Sequence, residues 1–169
     1  MTVTGPTARR YGLSWNGPEV AAEAEQVGVS AFCTGDFADH DAYLNLAEMA
    51  HGVTSAEVGT AIAYAFARTP YAHATAARQI HRSAPGGMFL GFGTAAHTIN
   101  RDWFSVPADR PVARVKELLR AVRAYLHAEN GEVVEFHGEF YDVRASIKAP
   151  VLGRLDIPLL LAGFNRGAV

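Results

Sequence analysis

The sequence has 169 residues, of which 49% are apolar and 19% charged, with a formal charge of −2 at neutral pH. That length and composition supply one globular core and exclude an intrinsically disordered segment. The scattered basic residues exclude a nucleic-acid surface, and no apolar run approaches the ~20 residues of a bilayer span. The N-terminal stretch MTVTGPTARRYGL lacks the apolar centre of a signal peptide, and a lone cysteine, Cys33, forms no internal disulfide. The expected compartment is therefore a reducing cytoplasm. Within AFCTG no basic neighbour lowers the thiol's pKa, so Cys33 reads as a buried, inert side chain.

No internal repeat or low-complexity tract interrupts the chain, and strand-like and helix-like segments alternate. MTVTG is a β-branched candidate strand. In NGPEVAAEAEQVG, Asn16 or Gly17 is placed to cap a helix, Pro18 sits in its first turn and Gly28 ends it. VSAFCT is a second, buried strand running into the polar turn GDFADHD. AYLNLAEMAHG follows as a helix with Leu44, Ala47 and Ala50 on one side. AEVGTAIAY is a third strand, then FARTP leads into a helix from 70 to about 83, and GGMFLGFG is a fourth strand. A longer helix runs from 111 to about 129, with Val112, Val115, Leu118, Leu119, Val122 and Leu126 at helical spacing. Its Arg114, Lys116, Glu117, Arg120 and Arg123 read most simply as a solvated face. GEVVEFHGEFYDV alternates in two short extended pieces around His137 and Gly138, as a hairpin would, and IPLLLAG is the fifth strand.

Alternating strand and helix implies parallel strands joined by crossovers, with ligand groups gathered at the strands' C-terminal ends. Those ends hold polar or glycine-rich material at 36–41, 64–69, 91–97 and 163–167. GDFADHD places His40 among Asp36, Asp39 and Asp41. A general acid/base or cofactor-contact role suits an imidazole there, and a solvated turn with Asp41 capping the next helix is the plainer alternative. No second histidine stands at ligand spacing, so no metal site is expected. GFGTA has two glycines of a dinucleotide fingerprint but lacks the third and the following acid. Gly91 and Gly93 then serve close approach, either of a flat ring or of another strand. Arg68, arriving just before Pro70, either meets an anionic ligand or pairs with a neighbouring acid. Trp15 and Trp103 read as packing residues.

Together HDAYLNLAEMAHGVTSAEVGTAIAYAFARTP, GGMFLGFGT, FSVPADRPVARVKELLRAVRAYL, FHGEFYDV and DIPLLLAGFNRGA resemble, in order and spacing, the luciferase-like monooxygenase superfamily. The likeness is strongest to its branch of deazaflavin-dependent oxidoreductases, and VGTAIAYAFARTP and FHGEFYDV are its most specific parts. The resemblance implies an eight-stranded (β/α)8 TIM barrel, here incomplete, with about five parallel strands and their intervening helices. It further implies coenzyme F-420 or flavin mononucleotide (FMN) at the C-terminal mouth and a small organic substrate. Carried over residue by residue, the second-strand acid is Asp36 and the family's HD pair is His40 and Asp41, with His40 and Asp36 as the catalytic candidates. The third-strand bulge falls near Ala63, Tyr64, Ala65 and Phe66, where some members have a non-proline cis peptide facing the cofactor ring. Gly91, Gly93 and Thr94 are the fourth-strand contacts, and Gly163, Phe164 and Asn165 belong to the cofactor's phosphate-binding wall. Ala95 stands where relatives often have a polar amide.

GFNRGA looks like an internal joint. The expectation is that residues 1–169 are the N-terminal part of one barrel domain whose C-terminal strands are absent, completed by self-association or by a complementing C-terminal half. Two functions follow from the resemblance: an F-420- or flavin-dependent oxidoreductase, or a non-catalytic half-barrel subunit or interaction protein descended from one.

Overall fold

Glycine- and proline-marked breaks divide the apolar runs into β1 (Tyr11–Ser14), α1 (Pro18–Gln26), β2 (Val29–Thr34), α2 (Ala42–Gly52), β3 (Glu57–Tyr64) and α3 (Pro70–His81). They continue as β4 (Met88–Gly93), α4 (His97–Asp102), α5 (Pro111–Leu126), β5 (Val133–His137), β6 (Asp142–Ser146) and β7 (Leu159–Leu161). This computed structural model describes residues 11–107, 109–147 and 153–163. The candidate strand MTVTG lies outside the described residues. Among the described residues the first strand of the sheet is Tyr11–Ser14, which the sequence pattern does not predict.

β1, β2, β3, β4 and β7 form one five-stranded sheet in that order, and every neighbouring pair is parallel. Parallel pairing puts all five C-terminal ends on one edge. The piece between α5 and β7 is the expected excursion, an antiparallel β5–β6 hairpin. Local chemistry sets the helix ends. Gly17, at φ +96°, rather than Asn16, precedes Pro18 at the start of α1. The Asp41 carboxylate accepts from the backbone N–H of Tyr43 and Leu44 at 2.9 and 3.1 Å to cap α2, and the Thr69 hydroxyl accepts from Ala72 N–H to cap α3. The last turn of α5 is closed by Arg78, whose guanidinium donates to the carbonyls of Tyr125, Leu126 and Ala128.

Phe32, Val58, Met88, Leu90 and Phe92 bury one face of the sheet beneath the helices. The opposite face is less covered. Phe89 lies half-buried across Gly59, where an added Cβ would come within 2.3 Å of the ring, and Leu160 is 51% exposed. β2 is accordingly buried on one side only: Phe32 is its sole fully buried residue. Two helix faces differ from the sequence reading. α2 buries Ala42, Tyr43, Leu46, Met49 and Ala50, and Leu44 is 74% exposed, because the helix packs on β3 and α3 at once. On α5 the charged side is not simply solvated. Glu117 accepts from the N–H groups of Glu139, Phe140 and Tyr141 at 2.9, 2.8 and 3.3 Å, and Arg114 lies over the rings of Phe66 and Phe140, so these two charges dock the hairpin.

At the opposite edge of the sheet Glu25 accepts from the backbone of Thr54, Ser55 and Ala56. Burial works to raise its pKa, and these hydrogen bonds override it and hold the carboxyl at about 2.

Candidate active site at the C-terminal strand edge

The register of β3 against β4 shifts between Thr60 and Ala63, and the Ala61–Ile62 peptide there is cis. The bulge expected at Ala63, Tyr64, Ala65 and Phe66 therefore falls two residues earlier. Its geometry accounts for the fourth-strand glycines. The Thr60 hydroxyl donates to the Gly91 carbonyl at 2.8 Å and accepts from Gly91 N–H at 2.9 Å. A Cβ on Gly91 would stand 2.3 Å from the Thr60 carbonyl oxygen, and one on Gly93 would stand 2.8 Å from Ile62 Cδ1. Of the two kinds of close approach open at the sequence level, these glycines serve that of the neighbouring strand. Beyond the bulge the side chains of Ala63, Ala65 and Phe66 are buried in the core, and Tyr64 is half-buried at the edge.

Asp36 follows β2 and is held from four directions. Its carboxylate accepts from the N–H groups of Ala42 and Tyr64, both at 2.8 Å, and from both terminal nitrogens of Arg68, at 2.7 and 3.1 Å. Arg68 also donates to Asp41 at 2.6 Å and lies 4.9 Å from the centroid of the Tyr43 ring. The Asp36 side chain is 7% exposed and that of Arg68 20%, so this is a shielded network rather than a surface pair. Of the two roles open to Arg68, the structure selects acid pairing. Burial acts to raise the pKa of Asp41, but its hydrogen bonds and the Arg68 charge bring it below the usual carboxylate range. Behind the arginine, His73 is fully buried on α3. Its Nε2–H donates to the Ala65 carbonyl at 3.1 Å, which leaves Nδ1 to accept from the Tyr43 hydroxyl at 2.7 Å. Burial pushes the His73 pKa down to about 4, so the ring is neutral near pH 7. Burial likewise raises the Tyr43 phenol.

His40 lies in the exposed part of the turn with its ring 55% exposed, and its Nδ1 is hydrogen-bonded to the Asp39 carboxylate. Because a carboxylate only accepts, Nδ1 holds the proton in the neutral ring and Nε2 has the free lone pair. The turn and the strand edge enclose an open cleft of about 600 Å³, whose walls include Asp36, Asp39, His40, Tyr64 and Arg68. Trp103 and Phe104, delivered by the unexpected short helix α4, complete it. Trp103 is 54% exposed beside Phe37, so it is not the packing residue the sequence suggested.

Asp36, His40 and Tyr64 are thus brought together. Gly91, Gly93, Thr94 and Gly163 lie at the same edge, along β4 and just past β7, but outside the lining of this cleft. Gly163 is exposed and Thr94 half-buried; Phe164 and Asn165 lie outside the described residues. The Tyr43–His73 pair escaped sequence reading because it joins residues thirty positions apart. A buried histidine on an otherwise apolar helix face was the one available signal. Cys33 is half-buried and not fully buried as expected, and that burial raises its thiol pKa. Among the described residues no group of three or more His, Cys, Asp or Glu is arranged to hold a metal ion, and no helix is long and apolar enough to cross a membrane.

Three kinds of likeness accompany this geometry. An uncharacterised protein of Mycobacterium tuberculosis is 33% identical over 141 residues, which is 79% of this chain and 42% of that protein. A second M. tuberculosis protein, provisionally named a coenzyme F420-dependent oxidoreductase, is 31% identical over 108 residues, covering 64% of this chain and 31% of its own length. The chain therefore spans less than half the length of these relatives. Among solved structures, the coenzyme F420-dependent tetrahydromethanopterin reductase of Methanopyrus kandleri superposes with a TM-score of 0.72 at 19% identity, over 90% of this chain and 49% of that one. The oxygenating constituent of 3,6-diketocamphane monooxygenase of Pseudomonas putida, solved with FMN, gives 0.72 at 16% identity over 94% and 52%. Those structures support the fold of the parallel sheet and its helices. A sequence model of the luciferase-like monooxygenase family matches residues 15–169, and with the bulged third strand and the convergent strand ends in place, the chain belongs to that family.

Proposed function

We propose that this chain contributes the cofactor- and substrate-facing edge of an F-420- or FMN-dependent oxidoreductase or monooxygenase acting on a small organic substrate. The observation that supports this reading best is the bulge at the sheet's C-terminal edge. Ala61 is exposed there and Ile62 half-buried, beside a turn that presents a carboxylate-oriented histidine. The apolar side chains of Ala61 and Ile62 on a paired strand form a shelf that fits a flat ring, and Gly163 is exposed just past β7, two strands away at the same edge. When bound, the reduced cofactor supplies a hydride or activates oxygen. His40 then takes or gives a proton at Nε2 while Asp39 holds its ring and tautomer. Asp36, with both oxygens engaged by four donors, acts as a positioning residue instead of a proton carrier. Tyr64 and Thr94 flank the shelf, and the side chains of Ala63, Ala65 and Phe66 support it from within the core. The backbone of Gly91 and Gly93 keeps β4 close against it.

Titration with F-420 and with FMN of the completed assembly, self-associated or paired with a complementing C-terminal half, tests the reading. One of them is expected to bind, and Ala61→Phe, which fills the shelf, to weaken it at least ~10-fold. His40→Ala is expected to leave that binding and the fold unchanged and to lower turnover ~10²-fold. Binding of neither cofactor would refute the oxidoreductase reading in favour of a non-catalytic subunit, and wild-type turnover in His40→Ala would return His40 to a solvated turn.

A further inference from the structure

We propose that the cleft beside the shelf selects a planar or aromatic ligand that is neutral or cationic, and rejects anions. As a statement about substrate class, this rests on the oxidoreductase reading; as a statement about the cleft, it does not.

The cleft is open to solvent, and its volume of about 600 Å³ falls in the size range of small-molecule sites. Two aromatic pairs line it. Phe37 and Trp103 lie 6.2 Å apart between centroids and Tyr64 and Phe104 5.3 Å apart, each pairing a strand-end residue with one delivered by α4. Phe37 and Trp103 remain 63% and 54% exposed, so their apolar faces are open to a flat partner. The charges decide the rest. Among the described residues that line the cleft, Asp36, Asp39 and Asp41 face a single permanently charged cation, Arg68. That guanidinium is already shared between Asp36 and Asp41 and covers the Tyr43 ring, which leaves it no free fork for an incoming carboxylate or phosphate. Asp39 gives Oδ1 to the His40 ring and is still 76% exposed at the cleft mouth. An anion entering here meets surplus negative charge and, among the described residues, no open cation, whereas an amine meets Asp39.

Benzylamine, benzyl alcohol and benzoate share one ring and differ in charge. Calorimetric titration of the full chain with each, in low salt, should rank the amine tightest and benzoate at least ~10-fold weaker than the alcohol. Asp39→Asn, at an exposed position, should narrow the amine–benzoate gap at least ~3-fold and leave the alcohol unchanged. Trp103→Ala should weaken all three about 5-fold through the lost ring contact. Benzoate binding as tightly as benzylamine would overturn the charge argument. Absence of binding by all three, or indifference of all three to Trp103→Ala in a variant with a native melting profile, would overturn the pocket itself. Retention of this ranking in a protein that binds neither F-420 nor FMN would sink the oxidoreductase reading alone, so the two failures are distinguishable.

Discussion

Replacing Arg68 by methionine keeps the length of the side chain and removes its charge and all its hydrogen bonds. The arginine is 20% exposed and its partner Asp36 only 7%, with a closest N–O separation of 2.7 Å. Removing one member of a buried pair typically costs ~3–5 kcal/mol, because the other is left charged and undersolvated. Asp36 would keep two backbone donors, Ala42 and Tyr64 N–H, which places the expected loss at the low end, about 3 kcal/mol. That is ~150-fold in the folding equilibrium and, with a urea m-value of ~2 kcal/mol/M, a midpoint lower by ~1.5 M. Arg68→Lys restores one charge without the fork that spans Asp36 and Asp41, and should recover about half of the loss. Combining Arg68→Met with Asp36→Asn should cost less than the two single changes added, since the stranded charge is then gone. Urea unfolding followed by circular dichroism measures wild type and the four variants. A loss below ~1 kcal/mol for Arg68→Met would mean that the pair behaves like a screened surface contact, and the network would not be what fixes the turn to β3.

Three further outcomes follow from the buried and close-packed groups. His73, held neutral with a pKa of about 4 against an ordinary value of 6.5, refuses a proton that the unfolded chain accepts between those values. Its contribution is therefore complete above pH ~6.5 and is lost as pH falls toward 4, by up to ~3 kcal/mol; urea melts across that range should show the slope in wild type and lose most of it in His73→Gln, and a flat wild-type profile would contradict the burial argument. Glu25→Ala should cost ~2 kcal/mol by leaving the N–H groups of Thr54, Ser55 and Ala56 without their acceptor, and wild-type stability should decline as pH drops from 4.5 toward 2; an unchanged melting profile would make Glu25 a solvated side chain. Gly91→Ala puts a methyl 2.3 Å from the Thr60 carbonyl oxygen and should cost ~2 kcal/mol or more, measured by thermal melting, with wild-type stability showing that the bulge yields.

Much of this protein was legible in its sequence because the signals are local. The 3.6-residue spacing of Val115, Leu118, Val122 and Leu126, the proline at the start of α1, α3 and α5, and the Asp41 cap each act within a few residues of chain. The parallel order of the strands followed from their alternation with helices, and the family from the motifs of 40–70 and 136–143. The site was legible only as a neighbourhood: Asp36, His40 and Tyr64 were placed at one edge, but what each does there was not. Asp36 is spent on Arg68 and two backbone donors, which no spacing rule links, since the partners lie 6, 28 and 32 residues away. Trp103 looked like core because an exposed tryptophan is unusual, and only its contact with Phe37, beside the Tyr64–Phe104 pair, places it at the cleft. The bulge moved from 63–66 to 61–62 because its position depends on how Thr60 bonds across to Gly91 on the next strand. Composition and periodicity therefore determined which segments are strands and helices, through backbone and side-chain preferences that act along the chain. Tertiary structure alone decided which charges are paired, which aromatic rings stay open and which histidine keeps a free nitrogen, because those depend on distances between residues that sequence separation does not constrain.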